Sequence, residues 1–131
     1  MVEYCGGELG VMPTPRHGKA SMVKHDGSPM FSGLPPRFMA GRYHSLVASR
    51  LPEALAPVAV TDDESCHTMA VMHRTLPWMA VQFHPESILT QQTRVADGSS
   101  LTAGDALVRN VVKTVSARCE GRLRPQACAV G

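Results

Sequence analysis

Ala80-Val81-Gln82-Phe83-His84-Pro85-Glu86-Ser87 carries a short apolar segment straight into a His-Pro-Glu turn. Pro85 fixes its own φ and has no N–H to give a sheet. It also pushes His84 out of the α region into extended backbone. In an extended chain, residues two apart point to the same side, so His84 and Glu86 face one pocket. A carboxylate beside an imidazole fixes its tautomer and stabilises its charged form, as a base in nucleophilic catalysis requires. A strand end followed by a proline turn with two solvated polar residues fits the same spacing, so spacing alone leaves both readings open.

Immediately upstream, residues 68–73 are apolar on both faces, as in a covered sheet strand. Residues 74–77 can turn the chain back, and residues 78–83 form a second apolar strand. The expected hairpin delivers His84 at its exit. Further upstream, residues 1–5 suit a final helical turn, stopped by Gly6-Gly7. Residues 8–18 hold Gly10, Pro13, Pro15 and Gly18 and are expected to be a loop with room for a short strand. Short strands are expected at 20–25, 38–45 and 58–61. Asp26-Gly27-Ser28-Pro29 and residues 62–65 read as turns, and 51–57 as a surface segment. Phe31 and Leu34 are expected core anchors. Downstream, Gln91 to Ser100 is polar and reads as a loop. Thr102 with Asp105 three residues on resembles a capping box. Leu107, Val108, Val111, Val112 and Val115 then form one apolar face at helical spacing. From residue 117 onward the tail, with Gly121, Pro125 and three arginines, is expected to be disordered.

Four stretches in order carry a family resemblance: Pro15-Arg16-His17-Gly18-Lys19, Phe31-Ser32-Gly33-Leu34-Pro35, Gly41-Arg42-Tyr43-His44-Ser45-Leu46, and the His84-Pro85-Glu86 segment. Over residues 1–115 the chain resembles the C-terminal half of class I (triad-type) glutamine amidotransferases. The likeness is greatest to the glutaminase of anthranilate synthase, with that of aminodeoxychorismate synthase next. The resemblance implies an α/β, flavodoxin-like three-layer fold, with a mixed sheet and a C-terminal helix. It divides the chain into a partial amidotransferase domain, 1–116, and a tail, 117–131. It implies that His84 and Glu86 are the catalytic base and its orienter. Ser45 and Leu46 would hold the substrate glutamine, and the His17-Gly18-Lys19 segment would lie near the surface facing the synthase partner. His44, with no carboxylate partner in the sequence, is expected to be structural.

The family nucleophile is a Cys in a Gly-x-Cys-x-Gly-x-Gln elbow, and no such stretch occurs among these residues. Residues 1–10 resemble the end of the helix that follows the elbow. The resemblance therefore implies a missing N-terminal half, carrying the thiol and the oxyanion donors. A chorismate-utilising synthase, as a separate subunit or a fused domain, would receive the ammonia. The alternative is a non-catalytic remnant or interaction module that binds such a synthase.

The bounds from composition agree with this. At 131 residues the chain is one domain at most. A formal charge of +2 gives no argument for nucleic acid or a membrane surface. No apolar run reaches the length that spans a bilayer, and the N-terminus lacks the regions of a signal peptide. A cytoplasmic protein without a cofactor is the expectation. Cys5, Cys66, Cys119 and Cys128 form no C-x-x-C pair and are expected to be free thiols. Cys5 is expected to be a buried structural thiol. His67 and His73 have no acidic or thiol ligands at useful spacing, so no metal site is expected.

Overall fold

Short turns decide how these strands associate. The computed structural model of the chain describes residues 1–95 and 101–119. Within them, β1 (Glu8–His25), β2 (Arg37–Arg50), β3 (Leu55–Thr61), β4 (Thr68–His73) and β5 (Met79–Val81) form one sheet in the order β2-β1-β3-β4-β5. One α-helix, α1 (Ala103–Cys119), follows the last strand. Where a mixed sheet is expected, every ladder of this sheet among the described residues is antiparallel. The links between β3 and β4 and between β4 and β5 are hairpin connections, too short for the crossover that parallel neighbours need.

Residues 8–18, expected as a loop, instead belong to the long strand β1. Pro13, Pro15 and Gly18, three of the residues that suggested a loop, fall in its irregularities. Pairing with β2 slips between Val11 and Arg16, and again between His17 and Lys19. β1 meets β3 only over Val23 to His25, so Pro13 and Pro15 remove no ladder bond on that side. β3 begins at Leu55, three residues before the expected start, and carries Pro57 at a register shift. The first residues form a 3-10 turn, Glu3–Cys5. Gly6 closes it in the left-handed conformation (φ 89°), donating its N–H to the Glu3 carbonyl. Cys5, expected to be buried, is half-buried there.

The core lies between the inner face of the sheet, the 3-10 turn at Pro29–Phe31 and α1. It is built from Val23, Met30, Phe31, Phe38, Met69, Met72, Phe83 and Leu107. Both expected anchors, Phe31 and Leu34, are buried. So are all four central residues of β4, Met69 to Met72. Phe38 on β2 meets Phe83 edge-on, with ring centroids 5.5 Å apart. That contact joins strands from opposite ends of the sheet.

α1 starts where its capping residues require. The Thr102 hydroxyl accepts the Asp105 N–H at 3.2 Å, and the Asp105 carboxylate accepts the Thr102 N–H at 3.3 Å. A Cβ at Gly104 would collide with the Pro85 carbonyl, so only glycine lets the helix start pack on the His-Pro-Glu turn. Asn110, buried, donates to the Ser32 carbonyl at 2.7 Å and ties the helix to the core. The helix runs through Cys119, and residues 120–131 of the expected disordered tail lie outside the described residues.

The apolar face of α1 is wider than the sheet covers. Leu107 is buried, whereas Val108 and Val112 are 53% and 60% exposed. With Met79 and Val81 of β5 they line an apolar cleft. β5 is also a terminal strand of the sheet, and apolar surface exposed beside it favours association. The chain is expected to self-associate in sedimentation velocity, and Val112→Lys to weaken that association. A clean monomer of the unmodified chain across the accessible concentration range would contradict this.

Candidate active site

The β4–β5 hairpin brings the chain to His84 as expected. The Gln82 N–H donates to the Met69 carbonyl at 2.8 Å, the last hydrogen bond from the strand to β4. Phe83 is then buried, and His84 forms an antiparallel bridge with Gly41 of β2. In this bridge the His84 N–H donates to the Gly41 carbonyl at 3.0 Å. β2 and β5 are the two ends of the sheet, so this bridge curls the sheet round on itself.

Thr90 closes the clasp. Its hydroxyl donates to the His84 carbonyl at 2.6 Å and accepts the Gly41 N–H at 2.9 Å. Thr90 is fully buried, so both backbone groups would otherwise be unpaired away from water. Gly41 is required by close approach. A Cβ there would lie 2.9 Å from the Ser87 Cβ, too close for any side-chain rearrangement to relieve fully. The clasp thus fixes the backbone on both sides of His84, while leaving its ring at the surface.

The His84 ring is oriented by two contacts. Its Nδ1 lies 2.8 Å from Glu86 Oε1. A carboxylate only accepts, so Nδ1 carries the proton and Nε2 of the neutral ring holds a lone pair. Tyr43 packs edge-on against the imidazole, with centroids 5.0 Å apart, and its hydroxyl lies 3.3 Å from Ser87 Oγ. The hydrogen bond from His84 holds the Glu86 carboxyl below its ordinary pKa, so it is ionised at neutral pH. The His84 and Glu86 side chains are 44% and 74% exposed, so the pair is open to solvent on this chain.

Ser45 and Leu46 lie on β2, the strand that His84 bridges, and both are exposed. Ladder pairing runs Val11 to Leu46 and then Arg16 to His44, so residues 12–15 bulge opposite Ser45 alone. His44 has no carboxylate contact among the described residues. Its ring bonds instead to Arg42 and to the Leu46 carbonyl. Among the described residues no group of three or more His, Cys, Asp or Glu could hold a metal. None of their helices is long and apolar enough to cross a membrane.

The structure joins His84 to Glu86 directly and sets Ser45 and Leu46 on the strand clasped to His84. Sequence reasoning passed over Thr90, Gly41 and Tyr43 as parts of the site. Gly41 and Tyr43 stand inside a quoted motif, but nothing at Thr90 marks it before the turn is folded.

The His84–Glu86 pair thus stands at a strand exit, clasped to β2 in a curled sheet beside a helix. The family model for class-I glutamine amidotransferase matches residues 1–98, and the chain belongs to that family. It is 51% identical over 119 residues to anthranilate synthase of Azospirillum brasilense, covering 89% of this chain and 15% of that protein. It is 47% identical over 91 residues to anthranilate synthase component 2 of Methanocaldococcus jannaschii, covering 70% of this chain and 46% of the relative. It is 48% identical over 98 residues to aminodeoxychorismate synthase of Streptomyces griseus, covering 75% of this chain and 13% of that protein. Among solved structures, a putative GMP synthase subunit from Thermoplasma acidophilum superposes with a TM-score of 0.74 at 23% identity, covering 92% of this chain and 54% of the other. That likeness concerns the fold. The chain thus spans about half the length of these component 2 and solved relatives, and far less of the longer synthases.

Thr90→Val keeps the shape of the clasp and removes both hydroxyl bonds. It is expected to cost about 1–3 kcal/mol, the penalty of unpaired buried backbone groups. Urea denaturation of the two chains measures it. Equal midpoints and slopes would show that the clasp is not what holds His84.

Proposed function

We propose that this chain supplies the proton-handling half of a glutaminase that makes ammonia for anthranilate formation from chorismate. The reading rests first on one observation: His84 Nδ1 at 2.8 Å from Glu86 Oε1, in a strand exit of an amidotransferase-family chain. The names of the relatives favour anthranilate over aminodeoxychorismate, and so a place in tryptophan biosynthesis.

In this reading glutamine binds with its α-amino and α-carboxylate groups against Ser45 and Leu46. A Cys thiolate from sequence outside these 131 residues attacks the side-chain amide carbon. The C–N bond breaks, His84 delivers a proton to the departing ammonia, and a glutamyl thioester remains. His84 Nε2 then takes a proton from water, which attacks the thioester and releases glutamate and the thiol. Glu86 keeps Nδ1 protonated throughout and stabilises the imidazolium that forms between steps. Oxyanion donors come with the nucleophile. No cofactor enters this chemistry. Ammonia passes to a chorismate-utilising synthase, a separate subunit or a fused domain. The site of action is the cytoplasm, where that biosynthesis would occur.

The nucleophile-bearing half has a place to dock. The apolar cleft between terminal strand β5 and α1, with Val108 and Val112 exposed, offers it an uncovered surface. A half-domain with the Gly-x-Cys-x-Gly-x-Gln elbow, expressed separately or joined to this chain, is expected to restore glutamate release.

In that restored enzyme His84→Ala is expected to lower kcat by roughly four orders of magnitude or more. Ser45→Ala is expected to raise the KM for glutamine by about 3–10-fold, the value of one lost hydrogen bond. Coupled glutamate dehydrogenase assays read both. Restored activity indifferent to His84→Ala would remove His84 from the role of base.

A further inference from the structure

Arg42 is the largest fully buried side chain among the described residues, with 1% of its surface exposed. A guanidinium in that position is costly unless a carboxylate or a full set of acceptors meets it. None of the ion pairs among the described residues includes Arg42. Its donors go instead to three neutral groups. Nη1 donates to Ser21 Oγ at 3.2 Å, Nη2 to the Met12 sulfur at 3.7 Å, and Nε to His44 Nε2 at 3.0 Å.

The last bond determines the state of His44. Arginine has no acceptor, so His44 Nε2 must offer a lone pair. On the far side of the ring, Nδ1 lies 2.8 Å from the Leu46 carbonyl, which can only accept. Nδ1 therefore carries the proton. Both bonds are made at once only by the neutral ring with its proton on Nδ1. A doubly protonated His44 would set one N–H against another across 3.0 Å.

The His44-to-Leu46 bond spans Ser45 at the place where the ladder fails. Opposite Ser45, β1 bulges over residues 12–15, and Pro13 and Pro15 have no N–H to give. Ser45 is thus left without a ladder partner between His44 and Leu46, which pair with Arg16 and Val11, and the imidazole pins the Leu46 carbonyl just beyond it. We propose that Arg42 is a positioning residue: it holds His44 in the neutral Nδ1–H form, and His44, through the Leu46 carbonyl, fixes the backbone around Ser45 and Leu46 in the conformation that binds the backbone end of glutamine. The proposal rests on the assignment of Ser45 and Leu46 as the glutamine cradle.

The surrounding charges act in the same direction. Burial lowers the His44 pKa from its ordinary value, the Leu46 bond opposes this, and Arg42, His67 and His84 lower it further. Burial also lowers the Arg42 pKa, with Arg16 adding to this and Asp63 opposing it. A His whose folded pKa is depressed contributes stability above its unfolded pKa, near 6.5, and loses it as pH falls below that value. Acid should therefore loosen this cradle as His44 takes up its second proton, at a pH below that of an ordinary histidine.

The direct test is long-range 1H–15N spectroscopy of imidazole nitrogens in the 131-residue chain, with kinetics in the restored glutaminase. His44 is expected in the Nδ1–H tautomer, neutral at pH values where an ordinary histidine is half-charged. Arg42→Met is expected to return its titration toward the ordinary value. In the restored enzyme Arg42→Met should raise the KM for glutamine about tenfold with kcat kept within about threefold, the signature of lost binding rather than lost chemistry. Arg42→Lys, which keeps the charge without the planar Nε–H, should raise KM similarly. His44→Asn, which keeps a donor near the Leu46 carbonyl, should retain most of the affinity. An Nε2–H or charged His44 at neutral pH would overturn the proposal in the chain itself. So would an unchanged KM in both Arg42 variants where Ser45→Ala raises it. If Ser45→Ala also left KM unchanged, the cradle assignment would fail and the proposal with it.

Discussion

One buried hydroxyl and one missing side chain hold this site together. Thr90 bonds at once to the His84 carbonyl and the Gly41 N–H, and Gly41 has no Cβ to keep the two segments apart. Residues 41 and 84 sit at opposite ends of the sheet order, yet the bridge between them makes them neighbours. The curl of the sheet, the seating of Phe83 and the start of α1 over Pro85 follow from that closure. The placement of the His84–Glu86 pair depends on packing around backbone groups, because the two side chains themselves are 44% and 74% exposed.

The same logic applies along β2. From Gly41 to Leu46 the strand carries, in turn, the clasp, a buried cation, a ring against His84, a tautomer-fixed histidine and the two residues proposed to hold glutamine. Alternation puts Arg42 and His44 on one side and Tyr43 and Ser45 on the other. Arg42 reaches back to Ser21 and Met12 of β1, so β1 sets the strand's position as well as its register. A strand that does so many tasks cannot be swapped for another of equal hydrophobicity.

Much of this was legible in the residues, and the failures have physical causes. The β4–β5 hairpin, the capping box at Thr102 and the His84–Glu86 pair all follow from local chemistry: period, capping oxygens and a proline-extended backbone. Residues 8–18 misled because prolines usually exclude a strand, whereas here the strand has an unladdered side and a bulge to hold them. Val108 and Val112 read as core because helical spacing cannot tell a covered face from one awaiting a partner. Thr90 and the charge state of Arg42's surroundings depend on contacts across 49 and 21 positions, which no local pattern encodes.

In the proposed function these parts are a base, its orienter and a substrate cradle, and none of the four cysteines stands in the family's elbow motif. Glutamate release from glutamine by the purified chain is the most direct test of that division. The account predicts no release above the uncatalysed background by the 131 residues alone, and turnover once a half-domain bearing the elbow cysteine is present. Sustained turnover by the chain alone would contradict it.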